Sequence, residues 1–190
     1  MGFILLGLMT LNLTGLSGAV VQMFSHGILA GLLFAVVGRM VYARTHTREL
    51  ARLGPMNLNQ AIPFAAVAFV LAGMASMGLP GFSGFVAELM IVLGAWHAFP
   101  VLAVCVGFGI LLGVIYVWRA MQKAFFADSR AALAPLDHPL PPITIPEKLG
   151  ALILIATSIF IGIYPQVLLH LIIPALNSPL FDGLHKGSWQ

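Results

Sequence analysis

Apolar residues in this chain come in long unbroken runs, at about 1–14, 18–41, 61–79, 84–97, 99–121 and 148–170. Neither strict alternation nor a narrow apolar stripe interrupts them. Runs near 20 residues are long enough for helices to cross a bilayer, and shorter ones need a partner segment. Between 121 and 148 the pattern breaks into a polar connector with Asp128, Arg130, Asp137 and the prolines Pro139, Pro141 and Pro142. A surface loop is expected there, with a short interfacial helix at Ala127–Ala134 and a weakly ordered tail after Pro174. The division this predicts is a bundle over 1–125, a connector over 126–147, a final transmembrane helix over 148–173 and a tail over 174–190.

The pair 61–79 and 84–97 is separated by Gly78-Leu79-Pro80-Gly81-Phe82-Ser83-Gly84. Proline removes a backbone donor and glycine tolerates conformations other residues resist, so the run cannot carry a helix smoothly. Charge decides whether the pair is one crossing or two. Arg39, Arg44, Arg48 and Arg52 follow the second run, while Arg119, Lys123 and Arg130 follow the fifth. The positive-inside rule puts both clusters on the cytoplasmic face. They share that face only if the pair forms a single discontinuous crossing, although 61–79 alone would rise about 28 Å as a helix. The expected fold is an all-α, polytopic membrane helix bundle of about five crossings, one of them broken.

Composition agrees. Of 190 residues, 60% are hydrophobic and 8% charged, against about 25% charged in soluble domains. Mean hydropathy is +1.01. The net charge of +3 is clustered at segment ends and speaks to topology, not to nucleic acid. Met1 is followed directly by apolar residues with no basic stretch, which disfavours a signal peptide. The first run is short for a span, and the chain is expected to begin inside a longer protein. Cys105 is the lone cysteine, so an internal disulfide or a cysteine-held iron–sulfur cluster is not available, and a small core-facing role is expected of it.

Two side chains stand out chemically. Glu88 is the only acid inside an apolar run, directly after the helix break. An intramembrane carboxyl is costly unless it faces protein or water, which makes proton transfer its favoured role over a structural ion pair. His26 shares a helix face with Gln22 at i, i+4, with Ser25 beside it. Histidine changes charge near neutral pH, so a proton relay competes there with a plain helix–helix hydrogen bond. Gln22 and Ser25 are candidate supports. The bland reading is preferred for the others: His97 and His170 at segment ends, His46 in a loop, and Met74, Met77 and Met90 as packing. Arg119 and Lys123 are expected to snorkel, and Trp96, Tyr116 and Trp118 to anchor at the interface. Gly27/Gly31 and Gly109/Gly113 form GxxxG patterns that permit close helix approach, a weak signal in a glycine-rich chain. No phosphate-binding glycine loop, zinc spacing or Gly-x-Ser-x-Gly elbow is present, so no cofactor is expected in this chain.

In order along the chain, Met1–Gly7, Gly18–Gly27 with Gln22, Ser25 and His26, His46-Thr47-Arg48, Gly78–Glu88 and Ile163-Tyr164-Pro165-Gln166 resemble the antiporter-like subunits of respiratory complex I. Related L- and N-type chains carry lysine where Glu88 stands, so the resemblance is to the M type, also called chain 4. It implies a terminal proton site at Glu88 on the broken helix and a linking role for His26. It also implies other membrane-arm subunits as partners, a bacterial inner (plasma) membrane, and NADH oxidation and quinone reduction elsewhere in the assembly. The family has about fourteen helices in two inverted repeats. The first repeat and its glutamate and lysine sites are absent here, and a fragment, a split gene or a misplaced start would account for that. Three other readings stand beside it: a cation/proton antiporter or membrane-bound hydrogenase subunit, a scaffold that no longer transports, and a haem-binding anchor using His26, His97 and His170.

Overall fold

A computed structural model describes residues 1–56, 58–126 and 140–178. Among these residues the chain is helical, without strands. Helix α1 covers Gly2–Met9 and α2 covers Leu13–Phe34. The winding then widens to a π-helix over Ala35–Tyr42 and closes as α3, Ala43–Thr45. Short helices α4 (Leu50–Leu53) and α5 (Leu58–Ala61) lead into α6, Pro63–Ser76. Helix α7 is Ser83–Ala98, α8 Pro100–Phe125, α9 Ile145–Ile163 and α10 Gln166–Leu176.

Three continuous helical stretches are long and apolar enough to cross a membrane: Leu13–Thr45, Pro100–Phe125 and Ile145–Ile163. Helices α6 and α7 have 14 and 16 residues. At 1.5 Å per residue each rises about 21–24 Å, short of a hydrocarbon core of about 30 Å. They cross as a broken pair, hinged over 77–82, where Gly78 and Gly81 take φ of +71° and +102°. The fold is the all-α membrane bundle expected, with a discontinuous helix inside it.

Several boundaries differ from the apolar pattern. The first break falls at Thr10–Asn12, with Leu11 at φ 51°. Asn12 caps α2 by accepting from the Gly15 N–H at 2.8 Å, and its amide donates to the Gly94 carbonyl at 2.8 Å. The second span therefore starts at Leu13 and runs to Thr45, so Arg39 and Arg44 lie on the helix and not in the connector. The expected final helix over 148–173 is two helices that part at Tyr164–Pro165, because proline cannot donate the bond that would continue α9. It also starts earlier, at Ile145, behind a Thr144/Glu147 capping box. The interfacial helix expected at Ala127–Ala134 lies outside the described residues.

Close helix contact is made by glycines other than the GxxxG pairs. A Cβ on Gly18 would come within 2.8 Å of Met90 Cβ, and one on Gly94 within 2.6 Å of Gly15 Cα, so α2 and α7 meet backbone to backbone. By contrast, Gly27, Gly31 and Gly109 have nothing within 4 Å. Their small size opens space instead of closing it.

The two basic clusters meet at one end of the bundle. Leu50 and Leu53 share an apolar pocket with Ala120, Ala124 and Phe125. At the same end Arg44 is almost fully covered. Its Nε donates to Pro141 O at 2.8 Å, and its Nη2 to Pro142 O at 2.9 Å and Glu147 Oε2 at 2.8 Å. Its Nη1 donates to the Arg39 and Met40 carbonyls at 2.8 and 3.2 Å. Arg39 reaches the other Glu147 oxygen at 3.0 Å. Residues five apart lie about 140° apart around an α-helix. The i→i+5 bonding of the π-helix over Ala35–Tyr42 narrows that angle, and Arg39 and Arg44 close on one carboxylate.

Candidate functional site

The break between α6 and α7 makes the site. Glu88 sits in the second turn of α7 and folds back against the break: a Cβ on Gly78 would collide with Glu88 Oε2. Only glycine, at φ +71°, lets backbone and carboxylate approach this closely. Glu88 is half-buried. Among the described residues no ion pair or hydrogen bond to its carboxylate is seen.

Glu88 borders two cavities. The larger, about 620 Å³, is lined by Glu88, Gln22, His26, Ser76, Gly84 and Tyr116 among others. Liquid water occupies about 30 Å³ per molecule, and a water needs two to four polar partners. The wall is mostly apolar, and Gln22, His26, Ser76, Glu88 and Tyr116 supply the polar groups on it that could hold waters between His26 and Glu88. The smaller, about 130 Å³, lies between Glu88, Ser76, Met77, Tyr116, Gly109 and Gly113. The unfilled volume at Gly109 and Gly113 is part of this second space.

Gln22 and His26 thus reach the same cavity as Glu88, as their i, i+4 spacing allows. His26 is exposed on the described chain, and Gln22 Oε1 is buried without a partner among the described residues. Ser25 points elsewhere. Its hydroxyl is fully buried and lies 2.8 Å from Ser83 Oγ, which lies 3.1 Å from Ser158 Oγ.

Apart from Met77 and Tyr116, the remaining candidates do not line the cavities. His97, His170, Arg119 and Lys123 are exposed, as are Trp96 and Trp118. His46 is exposed in a left-handed turn at φ 53°, its ring centroid 6.4 Å from that of Tyr42 in an edge-on arrangement. Cys105 is exposed on α8, not core-facing, because α8 leaves most of its surface uncovered by the described chain. Met77 borders the smaller cavity while Met74 packs with Leu29, Ala75 and Phe82. Tyr116, read as an interfacial anchor, lines both cavities. Its spacing from Gly113 and Gly109, one and two turns before it, is the available signal. Among the described residues no three His, Cys, Asp or Glu side chains gather to hold one metal ion.

Comparison with known proteins follows the same lines. The family described as NADH:quinone oxidoreductase/Mrp antiporter, TM, matches residues 1–113. Subunit M of NADH-quinone oxidoreductase from Rhodobacter capsulatus is 34% identical over 177 residues, covering 93% of this chain and 33% of that protein. The Pseudomonas aeruginosa subunit M is 32% identical over 169 residues, covering 89% of this chain and 32% of that one. Among solved structures, respiratory complex I from Thermus thermophilus with bound NADH has a chain matching at TM-score 0.84 and 26% identity, covering 100% of this chain and 37% of its own. The chain spans about a third of the length of these relatives.

Proposed function

This chain belongs to the NADH:quinone oxidoreductase/Mrp antiporter transmembrane family, and on that premise we propose that it carries a proton half-channel of a complex I M-type subunit. Glu88 is the proton-exchanging group and His26 the relay that feeds it, with Gln22 helping to order water between them. Electron transfer from NADH to quinone takes place in other subunits, and the chain holds no cofactor of its own. Its partners are the neighbouring membrane-arm subunits. In a bacterial inner membrane the end bearing residues 39–52 and 119–130 faces the cytoplasm.

The observation that carries this reading is the cavity of about 620 Å³ shared by His26 and Glu88. An unpaired carboxylate beside a hydrated space can exchange a proton with water, and a carboxylate locked to arginine cannot do so at little cost. A charge change in an adjacent site alters the proton affinity of Glu88 through space. The coupling is reciprocal, so proton release from Glu88 is felt at that site in turn. Ser76 and Tyr116 add hydroxyls at the same place, where the second cavity continues the polar lining past Glu88.

The test is Glu88→Gln in the full-length subunit within the assembled complex. Proton translocation per electron pair should fall by this subunit's whole share, with assembly intact. Unchanged stoichiometry would overturn the assignment. The family description also names Mrp antiporters. A cation/proton antiporter is therefore the second reading, distinguished by transport that needs sodium and proceeds without quinone reduction.

A further inference from the structure

Nothing in the site above explains why α7 begins where it does. The N-cap of α7 is Phe82, which offers no side-chain acceptor. The segment before it has positive φ at Gly78 and Gly81, and glycine restricts the backbone less than any other residue. Yet Glu88 must be held to a fraction of an ångström against Gly78 and the cavity wall. Something outside the break has to set the position of the first turn.

Ser83 is the first residue of α7, and its hydroxyl reaches sideways. It meets Ser25 of α2 at 2.8 Å and Ser158 of α9 at 3.1 Å, with Ser25, Ser83 and Ser158 at most 1% exposed. Three hydroxyls from three helices thus converge on one point. A second contact from α9 bears on the same place. Gly162, one turn after Ser158, lies so close to the break that a Cβ there would collide with the backbone of Gly81 and Phe82. Next to Ser83, Gly84 lines the large cavity, and a Cβ on it would stand 3.6 Å from Ser25 Oγ. The hydroxyls sit directly behind the cavity wall, five residues from Glu88 along a rigid helix.

We propose that Ser25, Ser83 and Ser158 are positioning residues for Glu88: a three-helix hydroxyl cluster that, with Gly162, fixes the start of α7 and so the placement of the carboxyl beside the cavity. This rests on the reading of Glu88 as the proton site. It adds that α9, which does not line the large cavity, governs the site from behind. Buried hydroxyl pairs exchange donor and acceptor freely, so the cluster holds α7 without fixing a charge there. A displacement of about 1 Å at a reacting group can cost about a hundredfold in rate, which a lost hydroxyl on α9 is positioned to produce.

The experiment uses the full-length subunit in its assembled complex, with Ser83→Ala, Ser158→Ala and the double variant. Three readouts are taken: assembly, proton transfer, and the infrared carboxyl band assigned to Glu88 by its disappearance in Glu88→Gln. The cluster predicts intact assembly, proton transfer slowed about tenfold or more, and a displaced Glu88 band. The double variant should be no worse than the worse single, because both remove one shared point. If the alanine variants fail to assemble, Ser158→Cys, which keeps volume and a weak donor, is read in the same way. Wild-type transfer with an unmoved Glu88 band in the assembled variants would overturn the proposal. A moved band in a complex whose transport ignores Glu88→Gln would uphold the positioning and defeat only the proton-site reading.

Discussion

Glu147 and Glu88 each stand near the start of a helix, and the protein surrounds them in opposite ways. Glu147 accepts from Arg44, Arg39 and the Thr144 N–H, at 2.8, 3.0 and 2.9 Å. Glu88 has the backbone of Gly78 on one side and open space on two others. A carboxylate held by two guanidinium groups gains charge-assisted bonds and stays ionised. One left without a cation keeps its proton exchangeable. One carboxylate is clamped at the basic end of the bundle, and the other faces open space beside the helix break.

The comparison predicts opposite results from the same substitution. Glu88→Gln should remove transport and leave thermal unfolding of the purified subunit unchanged or slightly raised, since it neutralises a carboxyl that has no partner among the described residues. A marked loss of stability would mean that Glu88 has a hidden partner. Gly78→Ala should come next, because the added Cβ meets both an unfavourable φ and the carboxylate. Roughly 1–2 kcal/mol of backbone strain is expected, together with impaired proton transfer, and normal transport would separate the glycine from the site.

Glu147→Gln should do the reverse of Glu88→Gln. Loss of the charged acceptor should lower the unfolding free energy by about 2 kcal/mol, with transport per assembled complex retained. The smallest effect is expected from Arg39→Gln. The Arg39 side chain is 73% exposed, and exposed ion pairs contribute about 0–1 kcal/mol. If Arg39 proved as costly as Glu147, the clamp would be a triad of equals and not an Arg44–Glu147 pair with an outer member.

Much of this was legible from residues alone, for physical reasons. A Pro-Gly-Phe-Ser-Gly run between apolar stretches can only be a break, and an acid following it can only be special. The same pattern hid other features. Apolar periodicity does not register a π-helix, because nothing in the mixed run Ala35–Tyr42, with Arg39 among apolar neighbours, marks a change of winding. Asn12 carries a readable signal, a polar cap before the run from Leu13, but the longer apolar stretch around it masks the break. Ser83 and Ser158 are ordinary residues 75 positions apart, and no local rule pairs them. Arg44 looked like loop charge; its burial depends on the carbonyls of Pro141 and Pro142, whose approach is a tertiary event.

The wide winding at Ala35–Tyr42 has one further effect. Such a stretch accommodates an additional residue compared with regular winding over the same rise. Were it to revert, the upstream half would swivel by about 100° about its own axis. His26 belongs to that upstream half and Arg44 lies just beyond the stretch. The winding of this stretch therefore fixes which way the imidazole faces relative to Arg44 and Glu147.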